Sequence, residues 1–398
     1  MIKVLFLFLP VAITFALTGN AQTNSIPEKS IGVTFGDTGN DRGVHVIKTS
    51  DNNLVTVGVT ETVSNSEDIL VVKTDLFRNK LWEKKFGGNK DDAGWDIAET
   101  DGGENYLISG WSNSYSRAGD EDILLLKVSK EGNLVWSKSL INKGAERCWS
   151  FKKLNSGDFI LVGQTQNITT RNMKGLITKV DREGNLQWQY EYGDAKYNRL
   201  FYCDETKTQD ILVAGITRND STAENNGWVI LVDKNGRQKS QVQLTAKRNI
   251  TTHGILSISK NEILVYGYAQ TDTARNQRSI YLSMFDTEGN LKWEKVTNDK
   301  ESNNHGIGAI VTSSGSILLV GYSRPLYTGK WDGVIYKFSK KGEMKWRKLF
   351  GGNEADQPYG IVEISKNKFV VTGLTKSSGN GGEDMWLVWV DENGRVLD

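Results

Sequence analysis

Between residues 95 and 147 short apolar runs alternate with turn-forming polar clusters. Trp95–Thr100 reads as a strand, Asp101-Gly102-Gly103 as a turn, and Asn105–Gly110 as a second strand. After the polar stretch Ser112–Glu121, Asp122–Val128 is almost continuously apolar; Lys130-Glu131-Gly132 is a turn, and Leu134–Leu140 alternates apolar with polar. Four short strands with turn chemistry between them are predicted, and no stretch holds a helical period. The unbroken apolar run predicts a strand covered on both faces, and the alternating one an outer strand with one wet face.

The same pattern recurs along the whole chain. Gly-Asn-Leu-x-Trp occurs at Gly132–Trp136, Gly184–Trp188 and Gly289–Trp293, with degenerate copies at Arg78–Trp82, Gly236–Ser240, Gly342–Trp346 and Gly394–Asp398. A glycine closing an apolar run keeps the same step, 52 to 54 residues, at Gly58, Gly110, Gly163, Gly215, Gly267, Gly321 and Gly373. Seven copies of a four-stranded unit predict an all-β fold, a seven-bladed β-propeller of antiparallel blades occupying residues 31–398 as one domain. A solenoid would use a shorter repeat, and separate sandwiches would need linkers and larger cores. The last copy stops before its fourth strand. Ile31–Asp37 matches the stretches that follow Trp82 and Trp346, so this N-terminal strand is expected to complete the last blade beside Val396 and close the ring.

Trp82, Trp136, Trp188, Trp293 and Trp346 recur once per unit, and recurrence points to docking between blades, each burying ~150–250 Å². A second recurring set, Asp68 with Lys73, Asp122 with Lys127 and Asp332 with Lys337, is expected to be structural, with the Asp capping a turn. The Asp-x-x-Gly-x-x-x-Trp pattern (Asp181, Gly184, Trp188; Asp286, Gly289, Trp293) resembles the tryptophan-docking motif of quinoprotein-type propellers, with one residue fewer between Asp and Gly. The phrase from Phe86 to Gly103 is similar to secreted propeller-repeat proteins of Bacteroidota. The resemblance covers residues 31–398. It implies the fold and, by analogy with a quinoprotein-like assembly scaffold of the outer membrane, a role in docking partners.

Residues 1–21 carry the marks of a cleavable signal peptide: Lys3, an apolar stretch from Val4 to Leu17 interrupted by Pro10, and Gly19-Asn20-Ala21. Gln22 follows the expected cut where a lipoprotein would have Cys, and residues 22–30 are a polar lead-in. A secreted or periplasmic monomer with no membrane span is expected. Lysine and arginine total 49 against 48 acidic residues, which gives no basic excess for a nucleic-acid partner. Cys148 and Cys203 could be bonded or be two buried thiols; their offsets within the repeat differ.

Candidate chemistry gathers at the start of each unit. Trp95, Trp149, Phe201 and Tyr359 share one repeat position, three residues after Asp92, Glu146, Asn198 and Asp356. His45, His253 and His305, the only histidines, lie close by in first strands, with His253 and His305 at nearly equivalent places. These seven residues form the candidate ligand face, at the strand expected to line a central channel. Two or three imidazoles there could hold a metal, though polar residues in a wet channel suffice; no metal or cofactor is assigned. The acids Asp41, Asp92, Glu146 and Asp356 recur too regularly for a catalytic pair. No adjacent cysteines for a quinone, no sialidase box, no Gly-x-Ser-x-Gly elbow and no zinc-protease helix occur. The expectation is a non-catalytic protein-binding or scaffold module with an envelope or extracellular partner. The alternative is a carbohydrate-binding or glycoside-cleaving protein using the aromatic face.

Overall fold

A computed structural model describes residues 28–29, 32–116, 120–140, 144–220, 224–244, 249–326 and 329–397. The expected leader, most of the 22–30 lead-in and Asp398 lie outside the described residues. Within them the chain is all-β, and the one helical piece is the 3-10 turn Asp101–Gly103. Each repeat folds into an antiparallel meander because turn residues separate its short apolar strands. The first strands are Asp41–Lys48, Asp92–Thr100, Ala145–Lys153, Tyr197–Glu205, Ile250–Ser259, Ser302–Val311 and Asp356–Ser365. Strands pair in chain order within 41–86, 92–140, 250–296 and 302–351. The meanders 145–192 and 197–244 do the same and share one parallel pair, Met173 with Tyr197.

The last meander takes its fourth strand from the front of the chain. Val33–Phe35 runs antiparallel to Met385–Leu387, and Phe35 is buried with both of those end residues. The expected neighbour, Val396, instead bridges Val390 further along the same strand. The two segments therefore share one edge rather than pairing with each other. Apolar clusters join each meander to the next. Val55, Val57, Ile69 and Val71 pack on Ile97, Tyr106, Ile108 and Leu124, and on the other side Val46, Leu54, Leu70 and Val72 pack on Ile364, Val370, Met385 and Trp389. Both faces of the third strands are covered, which is why their sequences are continuous apolar runs.

The periodic glycine has a steric cause. A β-carbon at Gly58, Gly110, Gly163, Gly215, Gly267, Gly321 or Gly373 would sit 1.7–2.2 Å from a carbonyl oxygen of the first strand in the same meander. At the residue after that glycine's partner, every first strand carries a bulge. Register slips between Gly43/His45, Gly94/Asp96, Cys148/Ser150, Leu200/Tyr202, Thr252/Gly254, Gly306/Gly308 and Pro358/Gly360. A bulge bends its strand and re-aims one side chain. The sequence placed the start of the second meander's first strand at Trp95, the bulged residue itself; the strand begins three residues earlier, at Asp92.

Between meanders, the repeated tryptophans meet the repeated turns. A β-carbon on Gly132, Gly184, Gly236, Gly342 or Gly394 would lie 2.6–3.1 Å from the ring of Trp82, Trp136, Trp188, Trp293 or Trp346 respectively, each in the preceding meander. These glycines have positive φ, and the indole lies against the exposed turn. Where the fourth copy has Ser240, Gly289 meets only Val242, at 3.3 Å. The Asp and Lys of each recurring set act apart from each other. Asp68 and Lys73 are five residues apart on one extended strand, roughly 17 Å, and cannot touch. Lys73 binds Asp51 at 2.8 Å, Lys127 binds Asp101 at 2.9 Å, and Lys337 donates to the Glu392 carbonyl at 3.2 Å. Cys148 and Cys203 are free, buried in different clusters, and burial pushes the Cys148 thiol up to about 12.

Candidate functional site: a bulge-lined central cavity

The bulged residues are Val44, Trp95, Trp149, Phe201, His253, Ile307 and Tyr359, one from each first strand, and all line a single cavity of about 510 Å³. The cavity lies where the bulges aim these side chains. Five of the candidate residues (Trp95, Trp149, Phe201, His253 and Tyr359) therefore come together, and His45 joins them from the adjoining position. His305 does not line the cavity. It sits two positions earlier in the repeat than His253, so the expected equivalence of these histidines is corrected.

The rings form a continuous arc. Trp95 meets Trp149 edge-on at 4.7 Å, Trp149 meets Phe201 at 6.4 Å, and Phe201 stacks on His253 at 5.9 Å. The arc continues through Tyr268 to His305 and Tyr322, and ends at Tyr359, 6.4 Å from Tyr322. Burial, with Arg278 nearby, pushes His253 down to about 4 and His305 to about 3, so both imidazoles are neutral at physiological pH. Among the described residues no three His, Cys, Asp or Glu side chains converge on one point.

The position after each bulge breaks the symmetry. It holds His45, Asp96, Ser150 and Tyr202 on one side, and Gly254, Gly308 and Gly360 on the other. The glycines leave room, and three of the polar residues form a connected floor. His45 Nδ1 bonds Asp96 Oδ1, and Asp96 Oδ2 accepts from Ser150 Oγ and the Phe151 N–H, each at 2.9 Å. The Ile97 N–H gives Oδ1 a further bond at 2.8 Å. Burial alone would lower the His45 pKa, but the Asp96 carboxylate outweighs it and the value is raised. With Nδ1 bound, Nε2 is the ring atom left to give or take a proton. Ser150 points its proton at Asp96 and not at an imidazole, so this is not a serine-nucleophile arrangement. The sequence did not mark this floor, because its members share a position but not a chemistry.

The recurring acids hold the loops that enter the first strands. Asp41 Oδ2 accepts from the Asp37 N–H at 2.8 Å, Asp92 from Gly88 at 2.8 Å, and Asp356 from Gly352 at 2.6 Å; Glu146 accepts from Thr165 Oγ1 at 2.7 Å. All four are fully buried, and none of them lines the cavity.

No protein-family model and no curated protein matches the chain. Solved structures do. A puromycin-hydrolysing peptidase of Mycobacterium tuberculosis superposes with TM-score 0.56 at 12% identity, over 94% of this chain and 56% of that one. An acylaminoacyl peptidase of Pyrococcus horikoshii gives 0.51 at 12%, over 92% and 54%. The Dos1 propeller gives 0.52 at 11%, over 91% and 95%. The chain thus spans about half the length of the two peptidases. At these identities the likeness establishes the fold, a β-propeller. Among the described residues no helix is long and apolar enough to cross a membrane.

The expected non-catalytic scaffold is overturned here. Propellers of this shape occur within peptidases, so a regular propeller lacking a nucleophile of its own does not mark a protein apart from catalysis. The rings of the arc engage one another in T-shaped and stacked contacts, Trp95 with Trp149, Trp149 with Phe201 and Phe201 with His253.

Proposed function

We propose that the central cavity binds a peptide-like ligand bearing a planar aromatic group, and that the chain handles such a ligand for hydrolysis. The observation that carries this is the convergence of one bulged side chain per meander on one cavity. Its volume lies within the range of small-ligand sites, ~300–1,000 Å³. Ring edges carry partial positive charge and accept the negative face of an incoming aromatic ring, which favours an aromatic group over a sugar. The floor supplies the polar end: His45 Nε2 can bond an amide carbonyl or N–H. The likeness to peptidase propellers supports a peptide over other aromatic compounds.

Titrating N-acetylated aromatic dipeptide amides against tryptophan fluorescence tests this. Quenching that saturates is expected, and Trp149→Ala should weaken it by about tenfold or more, ~1.4 kcal/mol. Val44→Trp fills the cavity from the side opposite the arc and should abolish binding while the melting curve stays sigmoidal. Saturation unchanged in Val44→Trp, or obtained equally with free sugars, would sink the reading.

The meanders are proposed to be seven blades of one closed ring. The pairing of Val33–Phe35 with Met385–Leu387 and the apolar contact of the 41–86 sheet with the 356–391 sheet support this. Deleting residues 31–37 should lower the melting temperature by many degrees; an unchanged melt would argue for an open arrangement.

A further inference from the structure

Around the cavity, four consecutive junctions between meanders repeat one pairing. The residue after the recurring acid of a first strand faces the residue at or just before the third strand of the preceding meander. On one side of the molecule this position is ionic. Arg147 holds Glu121, and Arg42, which shares the cavity wall with Glu383, holds Glu67 of its own meander at 3.0 Å. The pairing then loses its acids. Arg199 Nε faces Met173 Sδ at 3.4 Å, Asn225 bonds Thr251 at 3.1 Å, and Arg278 Nη1 donates to His305 Nε2 at 3.1 Å.

At that last junction two guanidiniums gather without a carboxylate. Arg278 lies over the Tyr268 ring at 5.1 Å, and Arg324 over Trp331 at 4.6 Å. His305 stands between them, 4.5 Å from Tyr268 and 5.1 Å from Trp331. Neither arginine forms an ion pair among the described residues. A guanidinium stacked on an aromatic face is held in place; Arg278 spends Nη1 on His305 and keeps its other N–H groups, and Arg324 keeps its edge, to donate to an oxyanion. His305 cannot relieve the charge, since burial and Arg278 keep it neutral. Both guanidiniums act on the same imidazole, and among the described residues neither has a carboxylate to balance it, which leaves room for an anion from outside.

We propose that Arg278, Arg324 and His305 form a site for a carboxylate or phosphate group. The site is joined to the cavity wall by the ring contacts of Tyr268 with His253 and His305, and the group it holds is assigned as the anionic end of the same ligand. That identity rests on the reading of the cavity above; the anion site itself does not.

The test uses the full chain titrated with inorganic phosphate and, separately, acetate, against sodium chloride at matched ionic strength. Saturable change in tryptophan fluorescence is expected, together with an upward shift of the His305 imidazole titration followed by NMR, because a bound anion favours imidazolium. Arg324→Gln, at an exposed position, and Arg278→Gln should each weaken binding about tenfold with the melting curve retained. Phosphate alone saturating points to a phosphorylated ligand, and both anions saturating to a carboxylate as well. A response equal to that of chloride, or one that survives both substitutions, overturns the site. Anion binding without aromatic-peptide binding would retain this site and sink the cavity reading instead.

Discussion

Gly163→Ala is expected to cost on the order of 4–5 kcal/mol, at the far end of what single substitutions do, or to prevent folding. The added methyl would stand 1.7 Å from the Arg147 carbonyl oxygen, and backbone cannot swing aside as a side-chain tip can. The carbonyl is fixed because the strand bulges there: Cys148 pairs with Gly163 and Ser150 with Val162, leaving Trp149 without a partner. Relieving the clash means undoing the bulge, and with it the aim of Trp149 into the cavity. Urea midpoints followed by fluorescence measure the loss. Gly102 is the control. It has φ +69 but nothing within 4 Å of its β-position, so Gly102→Asn, a residue that tolerates that conformation, should change stability by less than ~1 kcal/mol. Comparable midpoints for the two variants would show that the close approach is not a constraint.

This link between glycine and bulge sets how far the sequence could be read. The glycine period was visible and picked out every meander, because a steric demand of this size admits one residue type. The bulge itself was not visible, since an extra residue in a strand has no composition of its own. Its trace was the spacing of three from a buried acid, with Asn198 standing in once, which brought out Trp95, Trp149, Phe201 and Tyr359. The same spacing reaches His253 from Ile250, Ile307 from Asn304 and Val44 from Asp41, but the first two starting points are not acids and the last two products are not aromatic. The His45–Asp96–Ser150 floor joins three meanders through side chains about 50 residues apart. Such pairing is a property of the assembled sheets and leaves no local pattern. The Asp–Lys recurrence was legible too, but each lysine's partner lies on another segment, Asp51 for Lys73 and Asp101 for Lys127, which no local spacing points to.

Glu146→Gln should leave the melting temperature nearly unchanged at pH 4.5 and raise it clearly at pH 8, with the gap opening between those values. Burial, reinforced by the charge of Asp122, raises Glu146 to about 7 in the fold, from 4.5 in an open chain. A carboxyl raised on folding contributes stability that is full below its unfolded value and disappears as pH climbs through the folded one. The loss therefore runs from about pH 4.5 to just above 7 and then stops. Asp332, raised to about 6 by burial and Asp356, acts in the same sense at slightly lower pH. His45, whose value Asp96 raises, adds a loss that begins near 6.5. The two neutral histidines work in the other direction. His253 and His305 are depressed to about 4 and 3, so below pH 6.5 the unfolded chain takes up protons that the fold refuses. Moving a titration by one pH unit is worth ~1.4 kcal/mol, so a rise from 4.5 to about 7 makes full ionisation of Glu146 cost the fold on the order of 3–4 kcal/mol. Glutamine keeps the acceptor oxygen that Thr165 uses at 2.7 Å and carries no charge to bury. The substitution should thus remove the cost without opening the loop that the side chain secures. A gap between parent and variant that stayed the same from pH 4.5 to 8 would show that Glu146 ionises in the fold as it does in an open chain. The fall in stability toward alkali would then belong to His45 and Asp332.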